Sequence, residues 1–60
     1  MNCIENEKDM KKILIVDDEH KMVEVLSAYL INAGYEPYGV YTGMEALKIV
    51  QDITFDLVIL

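Results

Sequence analysis

A continuous apolar run, Ile13 to Val16, is followed at once by the acids Asp17, Asp18 and Glu19. An uninterrupted, largely β-branched run of this kind is typical of a strand buried on both faces of a parallel sheet. A strand with one solvated face would instead alternate apolar and polar residues. The sequence therefore predicts a first strand that is covered on both faces and has carboxylates directly after it.

A helix is predicted from Glu19 to Ala33, because apolar residues recur there at the spacing of an amphipathic helix. Asp17 or Asp18 is a candidate cap for its first turn, and Gly34 lies where a left-handed C-terminal cap is favoured. The predicted core-facing side chains are Met22, Val25, Leu26, Tyr29 and Ala33, with Val23 and Leu30 widening the stripe.

The second strand is predicted from Tyr35 to Tyr41 and contains Pro37. Proline has no backbone N–H to donate to a neighbouring strand, and it is therefore largely confined to sheet edges and strand starts. The second strand is accordingly expected at an edge of the sheet, or to begin there.

The second helix is predicted to begin with a capping box, in which Thr42 is the N-cap and Glu45 the third helical residue. It is expected to run to about Gln51 and to bury three apolar side chains, those of Ala46, Leu47 and Val50.

A third strand with another core-like run is predicted to start at Phe55 and to continue to Leu60. The order β-α-β-α-β with short connections predicts an α/β fold with a parallel sheet and right-handed crossovers. Because natural domains seldom end on four apolar residues of an unprotected strand, the sequence is interpreted as truncated inside this strand. The alternative is a complete miniprotein that hides the strand by self-pairing.

Composition excludes several function classes. The net charge is −6 with five lysines and no arginine, so these residues are poor candidates for binding a nucleic-acid backbone. Any nucleic-acid role would require another domain outside them. No apolar run is long enough to span a membrane. The single cysteine, Cys3, suits a reducing cytoplasm, and residues 1–10 are expected to form a disordered leader.

The acidic cluster has two interpretations that the residues alone leave open. Ligands bind at the carboxyl ends of strands in open α/β sheets, and a divalent cation would relieve the repulsion among adjacent carboxylates. Mg²⁺ prefers one or two carboxylates and often takes further ligands from a phosphate, so Asp17 and Asp18 are the candidate metal ligands. Alternatively, the acids cap the helix and complement its dipole.

Residues Lys12 to Leu60 resemble the N-terminal half of a response-regulator receiver domain, the phosphoacceptor module of two-component signalling. The matching segments, in chain order, are KILIVDDE, AGYE, TGMEAL and FDLVIL. The segment KILIVDDEH, followed by YL and a tyrosine-rich second strand, most resembles the corresponding part of winged-helix transcriptional regulators of the vancomycin-resistance type.

This resemblance implies a flavodoxin-like, doubly wound sheet with strand order 2-1-3-4-5. It implies that Asp18 ligates Mg²⁺ directly and that Asp17 acts through a bound water, while Glu19 has no required role. It implies a sensor histidine kinase as partner and an aspartate acceptor immediately after the run Leu57 to Leu60. These sixty residues do not include that acceptor, so no phosphorylation of them is expected.

Two further hypotheses remain from the sequence. The chain could be an interaction fragment that forms a homodimer, or joins another receiver, through its exposed third strand. It could instead belong to a Mg²⁺-dependent phosphohydrolase, but the haloacid-dehalogenase type needs one residue between its two aspartates, whereas Asp17 and Asp18 are adjacent. The preferred expectation is a signalling module and not an enzyme.

The aromatic and imidazole side chains receive structural interpretations. His20 adjoins the acids and could be a ligand or a proton shuttle, but a solvent-facing position in the first helical turn is preferred. Four tyrosines could form a stacking surface for bases. Because no basic residue lies among them, packing at the sheet margin is expected for Tyr29, Tyr35, Tyr38 and Tyr41.

Overall fold

The computed structural model describes residues 10–60, and its five elements alternate between strand and helix. The expected leader, with Cys3, lies outside the described residues except for Met10, which is exposed. The elements are β1 (Lys12–Val16), α1 (His20–Asn32), β2 (Glu36–Val40), α2 (Gly43–Asp52) and β3 (Leu57–Ile59). Each bound lies within two residues of its prediction. The third strand is the shortest, because Phe55 and Asp56, which were predicted to begin it, lie before its first residue.

The three strands form one open parallel sheet in the order β2-β1-β3. Leu14 of β1 pairs with Tyr38 on one side and with Val58 on the other. Ile13, Leu14 and Ile15 are at most 4% exposed, which confirms a first strand buried on both faces. The predicted α/β fold is therefore confirmed, and it is consistent with the β-α-β-α-β half of a flavodoxin-like sheet.

Strand β2 lies at an edge of this sheet, as Pro37 predicted. Pro37 pairs with Ile13, and the free side of β2 faces away from β1. A proline at this edge leaves one fewer N–H group available to an incoming strand, which protects the edge from unwanted pairing.

Helix α1 ends at the predicted left-handed glycine. Gly34 has φ +95°, and its N–H donates to the carbonyl of Ile31 while the N–H of Tyr35 donates to the carbonyl of Leu30. This pair of bonds is a Schellman motif, which satisfies carbonyls that the end of a helix leaves free.

The buried face of α1 is narrower than the sequence predicts. Val23, expected only to widen the stripe, is 4% exposed and is the one buried residue of the helix. Among the elements of residues 10–60, the helix packs against β1 and β2, so a single ridge of side chains reaches the sheet. Leu26 and Leu30 are half-buried on that ridge, whereas Met22, Val25, Tyr29 and Ala33 are exposed, contrary to prediction.

The predicted capping box of α2 is present in part, because Thr42 caps as expected but Glu45 bonds one residue before the N-cap. The Thr42 hydroxyl accepts a hydrogen bond from the N–H of Glu45 at 3.1 Å. The Glu45 carboxylate accepts from the N–H of Tyr41 at 2.8 Å, one residue before the N-cap. One free N–H of the first helical turn and the N–H of the preceding Tyr41 are thereby satisfied.

The predicted core face of α2 is wrong in part. Ala46 is half-buried as expected, but Leu47 is 64% and Val50 45% exposed. The sheet-facing residues are instead Ala46 and Ile49, with Ile53 just after the helix. Since the positions 46, 49 and 53 follow the i, i+3, i+7 rule, the helix is amphipathic but rotated from the expected orientation.

The third strand is less buried than its apolar sequence suggested. Ile59 is half-buried, but Leu57 is 54%, Val58 46% and Leu60 91% exposed. Neither helix makes a packing contact with β3 in residues 10–60, which explains why the core-like run is not covered there.

The two helices cover opposite faces of the sheet. The chain crosses from β1 to β2 in one direction and then from β2 past β1 to β3 in the other. Parallel crossovers are right-handed almost without exception, so reversing the direction changes the face on which the helix lies. The helices accordingly share no contact. Neither is long and apolar enough to cross a bilayer, as judged over the described part of the chain.

Candidate functional site

The crossovers on either side of β1 create a topological switch point at its carboxyl end. The connection through α1 leaves the carboxyl end of β1 and leads to β2 on one side of β1. The connection through α2 leads from β2 to β3 on the other side of β1. Helices on opposite faces leave a crevice at such a point, and ligands bind there in open α/β sheets. Asp17 and Asp18 immediately follow β1, so the structure places both predicted site residues at this crevice.

The loop that carries the acids is short and tied to β2. The N–H of Asp17 donates to the carbonyl of Val40 at 3.2 Å. One carboxylate oxygen of Asp17 accepts from the N–H of Glu19 at 2.9 Å. Asp17 is half-buried and Asp18 is exposed. The two aspartates therefore differ in environment although they are neighbours in sequence.

Neither aspartate is the N-cap of α1, contrary to the capping expectation. The N-cap is Glu19, whose backbone is extended and whose side chain makes no capping hydrogen bond. The helix starts at His20, one residue later than predicted, and this shift moves the N-cap beyond the aspartates. Asp17 instead accepts from the N–H of the N-cap residue itself. Capping of the first turn therefore does not account for these carboxylates.

The carboxylates of Asp17 and Asp18 are the kind of donor that Mg²⁺ takes from protein. Within residues 10–60, the carboxylates of Asp17 and Asp18 together accept one hydrogen bond, which the N–H of Glu19 donates to Asp17. Within these residues, their other oxygens are free for other ligands. The described chain contains no cluster of three or more His, Cys, Asp and Glu side chains placed to hold a metal. Two carboxylates are nevertheless the number that Mg²⁺ commonly takes from protein, because it keeps several waters.

A stacked pair of rings lies beside the acidic loop. The ring centroids of His20 and Tyr41 are 3.9 Å apart and the planes differ by 23°. Both residues are on the surface, so the solvent-facing position expected for His20 is correct. The stack itself was missed, because it joins two segments that meet only when β1 and β2 pair. Val16 and Val40 are register partners, and this pairing brings the following residues together.

A second aromatic contact crosses the sheet. The rings of Tyr38 and Phe55 meet edge to face, with centroids 5.3 Å apart, and thus span β1 from the β2 side to the β3 side. The Tyr38 hydroxyl donates to the Glu36 carboxylate at 2.6 Å, and this hydrogen bond is the main cause that raises the pKa of Tyr38. Packing of the tyrosines is thus found at Tyr38 and Tyr41, whereas Tyr29 is 75% exposed.

Comparison with known proteins identifies a similar regulatory protein. The chain is 45% identical over 49 residues to "Regulatory protein VanR" of Enterococcus faecium. The match covers 82% of this chain and 21% of VanR, so the chain spans about a fifth of the relative's length. No protein-family model matches the chain. No solved structure matches it either. The similarity to VanR supports the resemblance to response regulators that the sequence motifs indicated.

Proposed function

We propose that this chain is the N-terminal part of a receiver domain in a two-component response regulator. In this proposal a sensor histidine kinase is the phosphoryl donor, the reaction requires Mg²⁺, and the protein acts in the cytoplasm. An output domain outside these residues would contact DNA and regulate transcription. The observation that carries the proposal is the position of Asp17 and Asp18 at the end of the central strand β1. The similarity to VanR supports it.

The two aspartates would hold the metal in different ways. Asp18 is exposed and makes no side-chain hydrogen bond within residues 10–60, so its carboxylate is available as a direct ligand. Asp17 is half-buried and already accepts a bond from Glu19, which suits contact through a water. Bound Mg²⁺ supplies charge neutralisation for phosphoryl oxygens. The protein's own contribution is to hold two consecutive aspartates in a loop that is hydrogen-bonded to β2.

The register of β3 agrees with an acceptor at the same crevice. Ile15 pairs with Ile59, so by the same register the position after Leu60 would lie beside Asp17. The resemblance expects the acceptor aspartate at this position. An acceptor there would be adjacent to the metal ligands, which is the arrangement that in-line phosphoryl transfer needs.

Phosphorylation of the gene product that contains this chain tests the proposal. The protein is incubated with acetyl phosphate, with and without Mg²⁺, and its intact mass is followed. We expect a hydroxylamine-labile phosphoryl adduct that depends on Mg²⁺ and is strongly reduced by Asp18→Asn. Asp52→Asn, at the exposed end of α2, is the matched control and should leave the yield unchanged. Equal phosphorylation of Asp18→Asn would refute the assigned metal ligand.

We propose pairing through β3 as a second candidate function. Within residues 10–60, β3 has a strand on one side only, and Leu57 and Val58 are 54% and 46% exposed. An edge strand with exposed apolar residues is a template for another strand, here that of a second copy. Light scattering should show a dimer that Val58→Lys disrupts. Val25→Lys on α1 is the control, and a wild-type monomer at high concentration would refute this candidate.

A further inference from the structure

The loop that carries Asp17 and Asp18 is attached at one end to the last residue of β2 and at the other to the residue that follows β2. At its start, the N–H of Asp17 donates to the carbonyl of Val40. At its end, the His20 ring stacks on the Tyr41 ring with centroids 3.9 Å apart. We infer that His20 and Tyr41 are positioning residues for the carboxylate of Asp18, an inference that rests on the proposed Mg²⁺ site.

The two attachments use consecutive residues of the β2 end, Val40 and Tyr41. The segment from Asp17 to His20, called the arch below, is therefore held at both ends against Val40 and Tyr41. Inside the arch, the hydrogen bond from the Glu19 N–H to Asp17 fixes the first half. No side-chain hydrogen bond holds Asp18 within residues 10–60, so its direction depends on the backbone between the two attachments.

Tyr41 is itself held in place by the start of α2. Its N–H donates to the Glu45 carboxylate at 2.8 Å, and the next residue, Thr42, is the N-cap of the helix. The backbone of Tyr41, whose ring stacks on His20, is thus held by hydrogen bonding at the capped start of α2. Tyr29 offers a contrast, because it projects from α1 and is 75% exposed.

Pre-ordering of the loop matters for a metal that takes few protein ligands. A ligand that is already oriented loses less conformational freedom on binding, so fixing the arch raises affinity without adding a contact to the ion. Removing the Tyr41 ring would leave Asp17 and Asp18 chemically intact while freeing the end of the arch. We expect Mg²⁺ affinity to fall roughly two- to tenfold, the range that an aromatic pair contributes.

Nuclear magnetic resonance titration of the isotope-labelled protein with MgCl₂ tests this inference. The amide signals of Asp18 and Glu19 report binding, and His20 ring-proton shifts report the stack in the metal-free state. Tyr41→Ala should weaken binding two- to tenfold and abolish the ring-current shift. Tyr41→Phe keeps the ring and should restore both. Tyr29→Ala, which removes an exposed ring elsewhere, should change neither.

His20→Ala removes the stack from the other side and is the second variant if Tyr41→Ala does not fold. It should weaken binding as Tyr41→Ala does, and the double variant should be no weaker than either alone. Unchanged Mg²⁺ affinity in His20→Ala and Tyr41→Ala, with normal binding by the unaltered protein, overturns the positioning role alone. Absence of any Mg²⁺ response in the unaltered protein overturns the metal site itself, and the positioning role with it.

Discussion

Gly39 of β2 lies directly against Val23 of α1, so closely that a methyl group added at Gly39 would overlap Cγ1 of Val23. Val23 is the one buried residue of α1, and Gly39 is the position on β2 against which its side chain packs. The glycine is used here for its small size, because its φ does not lie in the left-handed region.

Gly39→Ala is expected to destabilise the protein by about 1–3 kcal/mol. Valine in a helix strongly prefers one χ1 rotamer, so Val23 cannot easily turn aside and the helix must shift. Urea unfolding followed by circular dichroism measures the change. Gly43→Ala is the control, because a Cβ there meets nothing within 4 Å, and it should be neutral or slightly stabilising. Equal effects of the two substitutions would contradict the close contact.

Features set by local chemistry could be predicted from the sequence. The left-handed turn at Gly34 and the cap that Thr42 makes to the Glu45 N–H depend on residues a few positions apart, and both are present. The burial of Ile13 to Ile15 followed from their unbroken apolar character. The same run predicted Asp17 at the end of a strand covered on both faces, whereas the central place of that strand followed from the strand order that the resemblance implies.

Features that depend on how elements pack could not be predicted in the same way. The apolar spacing of α2 admits both Leu47 and Ile49 as core residues, and only the rotation of the helix on the sheet decides between them. The stack of His20 on Tyr41 requires the β1–β2 register, which no short window of sequence contains. At the candidate site, the position of the two aspartates after β1 was therefore predictable, while the contacts that fix their loop were not.

The side-chain cap of α2 gives a second stability prediction. Thr42→Ala removes the hydroxyl that accepts from the Glu45 N–H and should cost about 0.5–2 kcal/mol. Thr42→Ser retains the oxygen and should restore most of the loss. Thr54→Ala, at an exposed position after the helix, is the matched control. Thermal unfolding would contradict the assigned cap if Thr42→Ala and Thr54→Ala had the same midpoint.

The centre of the sheet should be far more sensitive than the exposed face of α2. Leu14 is 1% exposed and lies between Tyr38 and Val58, so Leu14→Ala should cost about 2–5 kcal/mol through lost burial and a cavity. Leu47 is 64% exposed, and Leu47→Ala should change stability by less than about 0.5 kcal/mol. Chemical denaturation of both variants measures the difference. A large loss in Leu47→Ala would show that this face of α2 is covered.

The hydrogen bond between Tyr38 and Glu36 predicts a loss of stability at alkaline pH. The bond to Glu36 is the first cause that raises the pKa of Tyr38 above its ordinary value of 10.0, followed by burial and by the charge of Glu36. A raised pKa in the folded state means that the folded protein holds this proton more tightly than the unfolded chain does.

The associated stability is therefore complete below the ordinary tyrosine pKa and is lost as pH rises through the higher pKa of the folded state. Unfolding midpoints measured from neutral to strongly alkaline pH should fall for the wild-type protein. Tyr38→Phe has no hydroxyl to lose a proton, so its midpoint should fall less steeply over the same range. Tyr29→Phe removes a hydroxyl from an exposed ring and should retain the wild-type slope. Parallel curves for wild type and Tyr38→Phe would show that this bond contributes nothing to the alkaline transition.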